Sequence, residues 1–173
     1  LSLEQSELSF ESVSVGESAS RQLTVSNDFR SAISVDQITV RGPNAEFFSV
    51  GTRPAEIGPN TDETLNVTFA PTTRGDASAT LQINSQSVAL SGTGTAPRVS
   101  VDTELPIEIT SDPGNSSNAT VTVSNDGNAQ LTADLSSGSD RFTLPNTLTV
   151  EADGSETFDV EFTPQEGDSA TLS

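Results

Sequence analysis

The chain has 173 residues, room for one or two domains, and carries 25 acidic against 7 basic side chains, a formal net charge of −18. All seven basic residues are Arg, and Lys, His, Cys, Met, Trp and Tyr are absent. Those absences exclude a Ser-His-Asp triad, a thiol nucleophile, a Schiff-base lysine, disulfides and zinc held by nitrogen or sulfur, and the charge repels the phosphate backbone of nucleic acid.

Apolar residues alternate with polar ones in short runs, the period-two pattern of strands buried on one face. No stretch keeps helical spacing for three turns. The pattern places strands near residues 7–10, 20–26, 33–40, 46–50, 62–70, 77–84 and 86–92. The clearest is the fifth, where Leu65, Val67 and Phe69 alternate with Thr64, Asn66 and Thr68. Turn signals fall between runs at Gly42-Pro43-Asn44 and Gly58-Pro59-Asn60. Phe47-Phe48 sits in the fourth run, and a regular strand points one ring inward and one outward. Phe48 matches Phe142 further on and is assigned to the core, which leaves Phe47 as a surface contact or as packing at the domain junction; an irregular strand would bury both.

From residue 96 the pattern starts again. Leu23-Thr24-Val25-Ser26-Asn27-Asp28 matches Val121-Thr122-Val123-Ser124-Asn125-Asp126, and Glu63–Pro71 matches Glu156–Pro164. Gly75-Asp76 then matches Gly167-Asp168, and Ala79-Thr80-Leu81 matches Ala170-Thr171-Leu172. Such self-similarity predicts two copies of one all-β domain, residues 1–95 and 96–173, each an immunoglobulin-like two-sheet sandwich. A Gly/Thr/Pro stretch, Gly92–Pro97, serves as the linker and is too short for free independent motion. The second copy ends without an equivalent of Ser87–Gly92, so its last strand is expected to be missing and one edge unpaired. A neighbouring subunit could supply it by strand addition, or the polypeptide could continue past Ser173.

Leu, Ile, Val and Phe total 41 residues, so the core is thin, and Ser plus Thr total 48, which suits strands and turns. A field of one sign pushes a compact state apart in ordinary buffers. At about 1 M salt the Debye length falls to about 3 Å and that repulsion is screened. Abundant Asp and Glu with no Lys therefore point to a protein of a hypersaline solvent, with cations held on its acidic surface. No signal-like opening and no 18-residue apolar run occur, so the sequence contains no membrane segment and reads as a mature or excised piece.

Several stretches carry a family resemblance. They are Leu8-Ser9-Phe10 with Val13-Ser14-Val15-Gly16-Glu17, Leu23–Asn27, Gly42–Phe47, Val67-Thr68-Phe69-Ala70-Pro71 with Gly75, and Val88–Gly94. On these residues the chain resembles the ASH/MSP-like immunoglobulin-like domains, called choice-of-anchor D repeats in prokaryotic surface proteins. The resemblance implies modular scaffolding without shared catalytic residues, usually in tandem arrays. The second copy departs from it at its start, where Val99-Ser100-Val101 and Leu105–Ile109 replace the opening motif.

Candidate sites are few. A glycosidase carboxylate pair lacks the Trp and Tyr on which a sugar would stack. Asp112-Pro113-Gly114-Asn115 and Asp126-Gly127-Asn128 offer hard oxygens for calcium, but without the EF-hand spacing they read as turns. No cofactor is expected. Three Asn-x-Ser/Thr sequons begin at Asn66, on the solvent face of its strand, and at Asn115 and Asn118, in or just after a polar loop and the most accessible of the three. Phe47, Arg98 near the domain boundary, and Leu172 and Ser173 at the unpaired edge are the candidate interface residues.

The expected function is structural and non-enzymatic. The chain reads as a spacer, filament subunit or adhesion stalk of an extracellular, cell-surface or virus-particle protein from a halophile, with other copies of itself or other surface proteins as partners. The alternatives are a module gripping a protein or glycan through its loops, and an accessory domain of a larger secreted hydrolase.

Overall fold

The computed structural model describes residues 1–165 and the backbone of the short strand Thr171–Leu172. The expected all-β class holds: among the described residues the regular structure is eighteen strands and one 3-10 turn, Ala45–Phe47. The chain divides into two compact units, Leu1–Thr95 and Ala96–Ser173.

The first unit contains β1 (Ser2–Leu3), β2 (Glu7–Ser14), β3 (Ala19–Asn27), β4 (Ile33–Ser34), β5 (Ile38–Arg41), β6 (Phe48–Val50), β7 (Glu56–Ile57), β8 (Thr61–Phe69), β9 (Gly75–Ile83) and β10 (Gln86–Thr95). One sheet has the order β1-β3-β8-β6 and the other β2-β10-β9-β5, with β4 and β7 as a separate pair. Neighbours are antiparallel except β2 and β10, which run parallel. Apolar residues of both sheets meet in one core, including Leu23, Leu65 and Phe69 from one and Phe10, Leu81 and Leu90 from the other. Phe10, Phe48 and Phe69 form a triangle with ring centroids 4.8–5.8 Å apart. Each buried ring contributes roughly 1.5–3 kcal/mol, so the triangle ties β2, β6 and β8 into one body.

Four features differ from the sequence expectation. The first strand continues past residue 10 to Ser14, because a bulge between Ser9 and Ser12 absorbs an extra residue at Glu11, whose φ is 55°. Residues 33–40 form two strands in two different pairings, β4 with β7 and β5 with β9. The run at 46–50 begins as the 3-10 turn, which breaks the alternation and sends both Phe47 (8% exposed) and Phe48 (5%) inward, the irregular-strand alternative rather than a surface Phe47. Finally, Gly92–Thr95 are part of β10, not linker. A Cβ on Gly92 would stand 2.6 Å from the Phe69 ring, and one on Gly94 would stand 2.2 Å from the Thr73 carbonyl oxygen. The glycines there let the strand approach its neighbours closely.

The second unit contains β11 (Val99–Val101), β12 (Ile107–Glu108), β13 (Ser117–Asn125), β14 (Leu131–Asp134), β15 (Phe142–Thr143), β16 (Thr147–Val150), β17 (Gly154–Phe162) and β18 (Thr171–Leu172). Its main sheet, β11-β13-β17-β15, has the same order as β1-β3-β8-β6. The registers correspond as well. Phe48 pairs with Phe69 in the first unit and Phe142 with Phe162 in the second, where the rings are 5.1 Å apart. The remaining strands form two pairs, β14 with β16 and β12 with β18. Among the described residues the core cluster has eighteen buried apolar residues in the first unit and seven in the second.

Candidate functional site

The repeated Ser-Asn-Asp places an asparagine at the last position of a long strand in each unit. Asn27 closes β3 and Asn125 closes β13, and both are buried, at 1% and 0% exposure. The Asn27 amide nitrogen donates to the carbonyls of Ser31 (2.8 Å), Ile57 (3.0 Å) and Gly58 (2.8 Å), while its oxygen accepts the Phe29 N–H (3.0 Å). Asn125 repeats this with the carbonyls of Ala129 (2.8 Å), Val150 (3.2 Å) and Glu151 (3.1 Å), and its oxygen accepts the N–H groups of Gly127 (3.0 Å) and Arg98 (2.9 Å). Each carboxamide replaces water for backbone groups that leave the ladder at a strand end. Each is thus a structural clamp, joining its own loop to the strand end that approaches from residues 57–58 or 150–151. Sequence reasoning missed this role, although the hexapeptide repeat contained both residues.

Arg98 lies inside the second unit's network. Its N–H is held by Asn125, and its carbonyl accepts the Asp126 N–H at 2.9 Å. The adjacent Gly127 has no room for a side chain, since a Cβ would meet the Ala96 oxygen and the Arg98 nitrogen at 2.4 Å. The oxygen-rich stretch Asp126–Asn128 therefore serves the fold: the Asn128 side-chain oxygen accepts the Ala96 N–H at 3.0 Å, and the Gly127 carbonyl accepts the Asp153 N–H at 3.1 Å. Asp112–Asn115 is a type II turn, with Pro113 at its second position, Gly114 at φ 85°, and the Asn115 N–H donating to the Asp112 carbonyl at 3.0 Å. Among the described residues, no group of three or more Asp and Glu side chains is placed to share a metal ion.

The three sequon asparagines are all exposed, Asn66 in β8, Asn115 in the turn before β13, and Asn118 in β13. Phe47 is a core residue instead of a contact surface. The backbone of Leu172 lies in β18, paired with Ile107, and Ser173 is outside the described residues.

The second unit carries an apolar groove. Its volume is about 220 Å³, and Val101, Leu105, Ile107, Leu135, Leu144 and Phe158 are among the residues lining it. Leu105 is 52% exposed and Val101 47%. In the first unit β9 and β10 bring Leu81, Ile83, Val88 and Leu90 into the core, each no more than 1% exposed. There β10 stands between β2 and β9; in the second unit β12 pairs directly with β18, whose Thr171-Leu172 matches Thr80-Leu81 of β9. The first unit exposes one large apolar side chain, Phe29 at 60%, on the loop that follows the Asn27 clamp.

A family model described as ASH, "Abnormal spindle-like microcephaly-assoc'd, ASPM-SPD-2-Hydin", matches residues 1–91, just over half of the chain. No curated protein matches the chain. Among solved structures, a protein of unknown function from Porphyromonas gingivalis W83 is similar at 16% identity and a TM-score of 0.39, over 94% of this chain and 83% of its own. The ASH/PapD-like domain 7 of human CEP192 is similar at 15% identity and 0.40, over 54% of this chain and 83% of its own. The E. coli chaperone DraB is similar at 10% identity and 0.43, over 99% of this chain and 94% of its own.

Proposed function

The chain belongs to the ASH family, and from that premise we propose that it is a non-enzymatic structural module of an extracellular, filament or particle-surface protein working in concentrated salt, whose second unit meets other subunits by strand addition. The observation that carries the assembly reading is the apolar groove bordered by Val101, Leu105, Ile107 and Leu135. An extended strand with apolar residues at alternate positions, like Val88-Ala89-Leu90 in β10, suits such a groove: the backbone pairs along an edge and every second side chain enters the core. The high-salt reading rests on the charge of −18 carried with no lysine.

Sedimentation of the 173-residue chain in multimolar KCl tests the assembly reading. The mean mass should rise with protein concentration. Leu105→Asp should hold the chain at monomer mass, and a synthetic peptide of the Gln86–Thr95 sequence should compete with association. A wild-type chain that stays monomeric at millimolar concentration overturns it. A second reading, ligand binding through loops of the first unit, has the exposed Phe29 in its favour.

A further inference from the structure

We propose that Asn115 is an N-glycosylation site, modified on the folded chain in preference to Asn66 and Asn118. All three asparagines are exposed, so accessibility alone does not separate them. What separates them is the third residue of each sequon and the backbone around it. A carboxamide nitrogen is a weak nucleophile. A transferase must therefore grip the sequon and engage the hydroxyl two residues on, which requires that the fold leave both groups free.

Asn66 is at the middle of β8, between β3 and β6, opposite Gln22, and its carbonyl accepts the Gly51 N–H at 2.9 Å. Its hydroxyl partner Thr68 is bonded to the Ser20 hydroxyl at 2.8 Å. Asn118 lies within β13 opposite Glu161 of β17, and the Thr120 hydroxyl donates to the Asp159 carboxylate at 2.8 Å. Asn115 is different on both counts. It closes the Asp112–Asn115 turn, and the ladder reaches only the last residue of its sequon, Ser117, which opens β13 opposite Phe162. Among the described residues its hydroxyl partner Ser117 makes no side-chain hydrogen bond. Around it Thr110, Ser111, Asp112 and Ser116 border an open polar hollow of about 430 Å³, where the hydroxyls of a first sugar find donors and acceptors.

The reaction is a glycosyl transfer with no change of oxidation state. The Asn115 amide nitrogen attacks the anomeric carbon of a saccharide linked to a lipid phosphate or pyrophosphate. The bond from that carbon to the phosphate oxygen breaks, the lipid-linked phosphate leaves with the electron pair, and one amide proton passes to a base of the transferase. The neutral product suits a surface that is already strongly acidic. The inference rests on the proposed export of the chain and not on its assembly, so a bare mass and a monomeric sedimentation profile are separate failures.

The chain is purified folded from its native source and measured by intact mass and peptide mapping, wild type beside three variants produced in the same cells. The expected result is a saccharide mass on the peptide carrying Asn115, with Asn66 and Asn118 unmodified. That mass is lost in Asn115→Gln and Ser117→Ala and kept in Ser117→Thr, the conservative change that also shows the loop still folds. An unmodified Asn115 in the wild type, or a saccharide retained in Asn115→Gln, overturns the proposal.

Discussion

Replacing Asn27 by Ala should be among the most costly single changes in the first unit, although it removes no apolar surface. The Asn27 amide carries two hydrogens and serves three carbonyls, those of Ser31, Ile57 and Gly58, while its oxygen serves the Phe29 N–H. Alanine leaves these groups without their partner at a position that is 1% exposed. An unsatisfied buried polar group costs about 1–3 kcal/mol, and some of these groups lie near enough to the surface for water to compensate, so the net loss is about 3 kcal/mol. For a unit of this size each kcal/mol lowers the melting temperature by roughly 4–8 °C, which gives a drop of roughly 12–24 °C. Asn27→Asp should cost more, because it keeps the shape, removes both donors and turns a negative charge toward three carbonyl oxygens. The exposed Asn66→Ala sets the reference and should stay within about 0.5 kcal/mol of wild type. Thermal unfolding by circular dichroism at one fixed KCl concentration, with amide exchange in β3 and β8 to assign the transition, measures all three. An Asn27→Ala loss below about 1 kcal/mol, or an aspartate better tolerated than alanine, would refute the clamp.

Gly92→Ala drives a methyl group to 2.6 Å from the Phe69 ring, and such overpacking should cost about 1–3 kcal/mol in chemical denaturation. Gly127→Ala should detach the Ala96–Arg98 segment, because the new Cβ meets its backbone at 2.4 Å. The readout is accelerated exchange of the Arg98 and Asp126 amide protons, and unchanged protection would contradict the packing described. The melting temperature should rise on the order of 10 °C or more between low and multimolar KCl as the repulsion within a −18 chain is screened, and a flat salt profile would remove the high-salt reading.

The strand content was legible in the sequence because burial on one face writes a period of two directly into the residues. Leu65, Val67 and Phe69 show it without interruption, and β8 lies within one residue of the expected bounds. The matching segments Leu23–Asp28 and Val121–Asp126 both fall on long strands, β3 and β13, each ending at its asparagine. Composition excluded whole classes of chemistry, since a side chain that is absent cannot act. Departures from the period were not legible, because non-local contacts cause them. A bulge at Glu11 lengthens β2, a 3-10 turn carries Phe47 inward with Phe48, and the glycines of β10 are explained only by the Phe69 ring and the Thr73 carbonyl standing behind them.

The candidate sites divide in the same way. The sequons at Asn66, Asn115 and Asn118 are local patterns and could be read directly, but which hydroxyls are engaged depends on partners 39 and 48 residues away. The buried asparagines were visible as a repeated letter and nothing more. Their role appears only when residues 57–58 and 150–151 arrive beside them, since a hydrogen bond to a distant carbonyl leaves no local trace in the chain. Sequence by itself determined the strand pattern, the matching segments and the reactive side chains these 173 residues lack, because these follow from which side chains are present and how they alternate. Tertiary structure alone decided the strand partners, the clamps and the open groove, because each depends on groups far apart in the chain being brought within bonding distance.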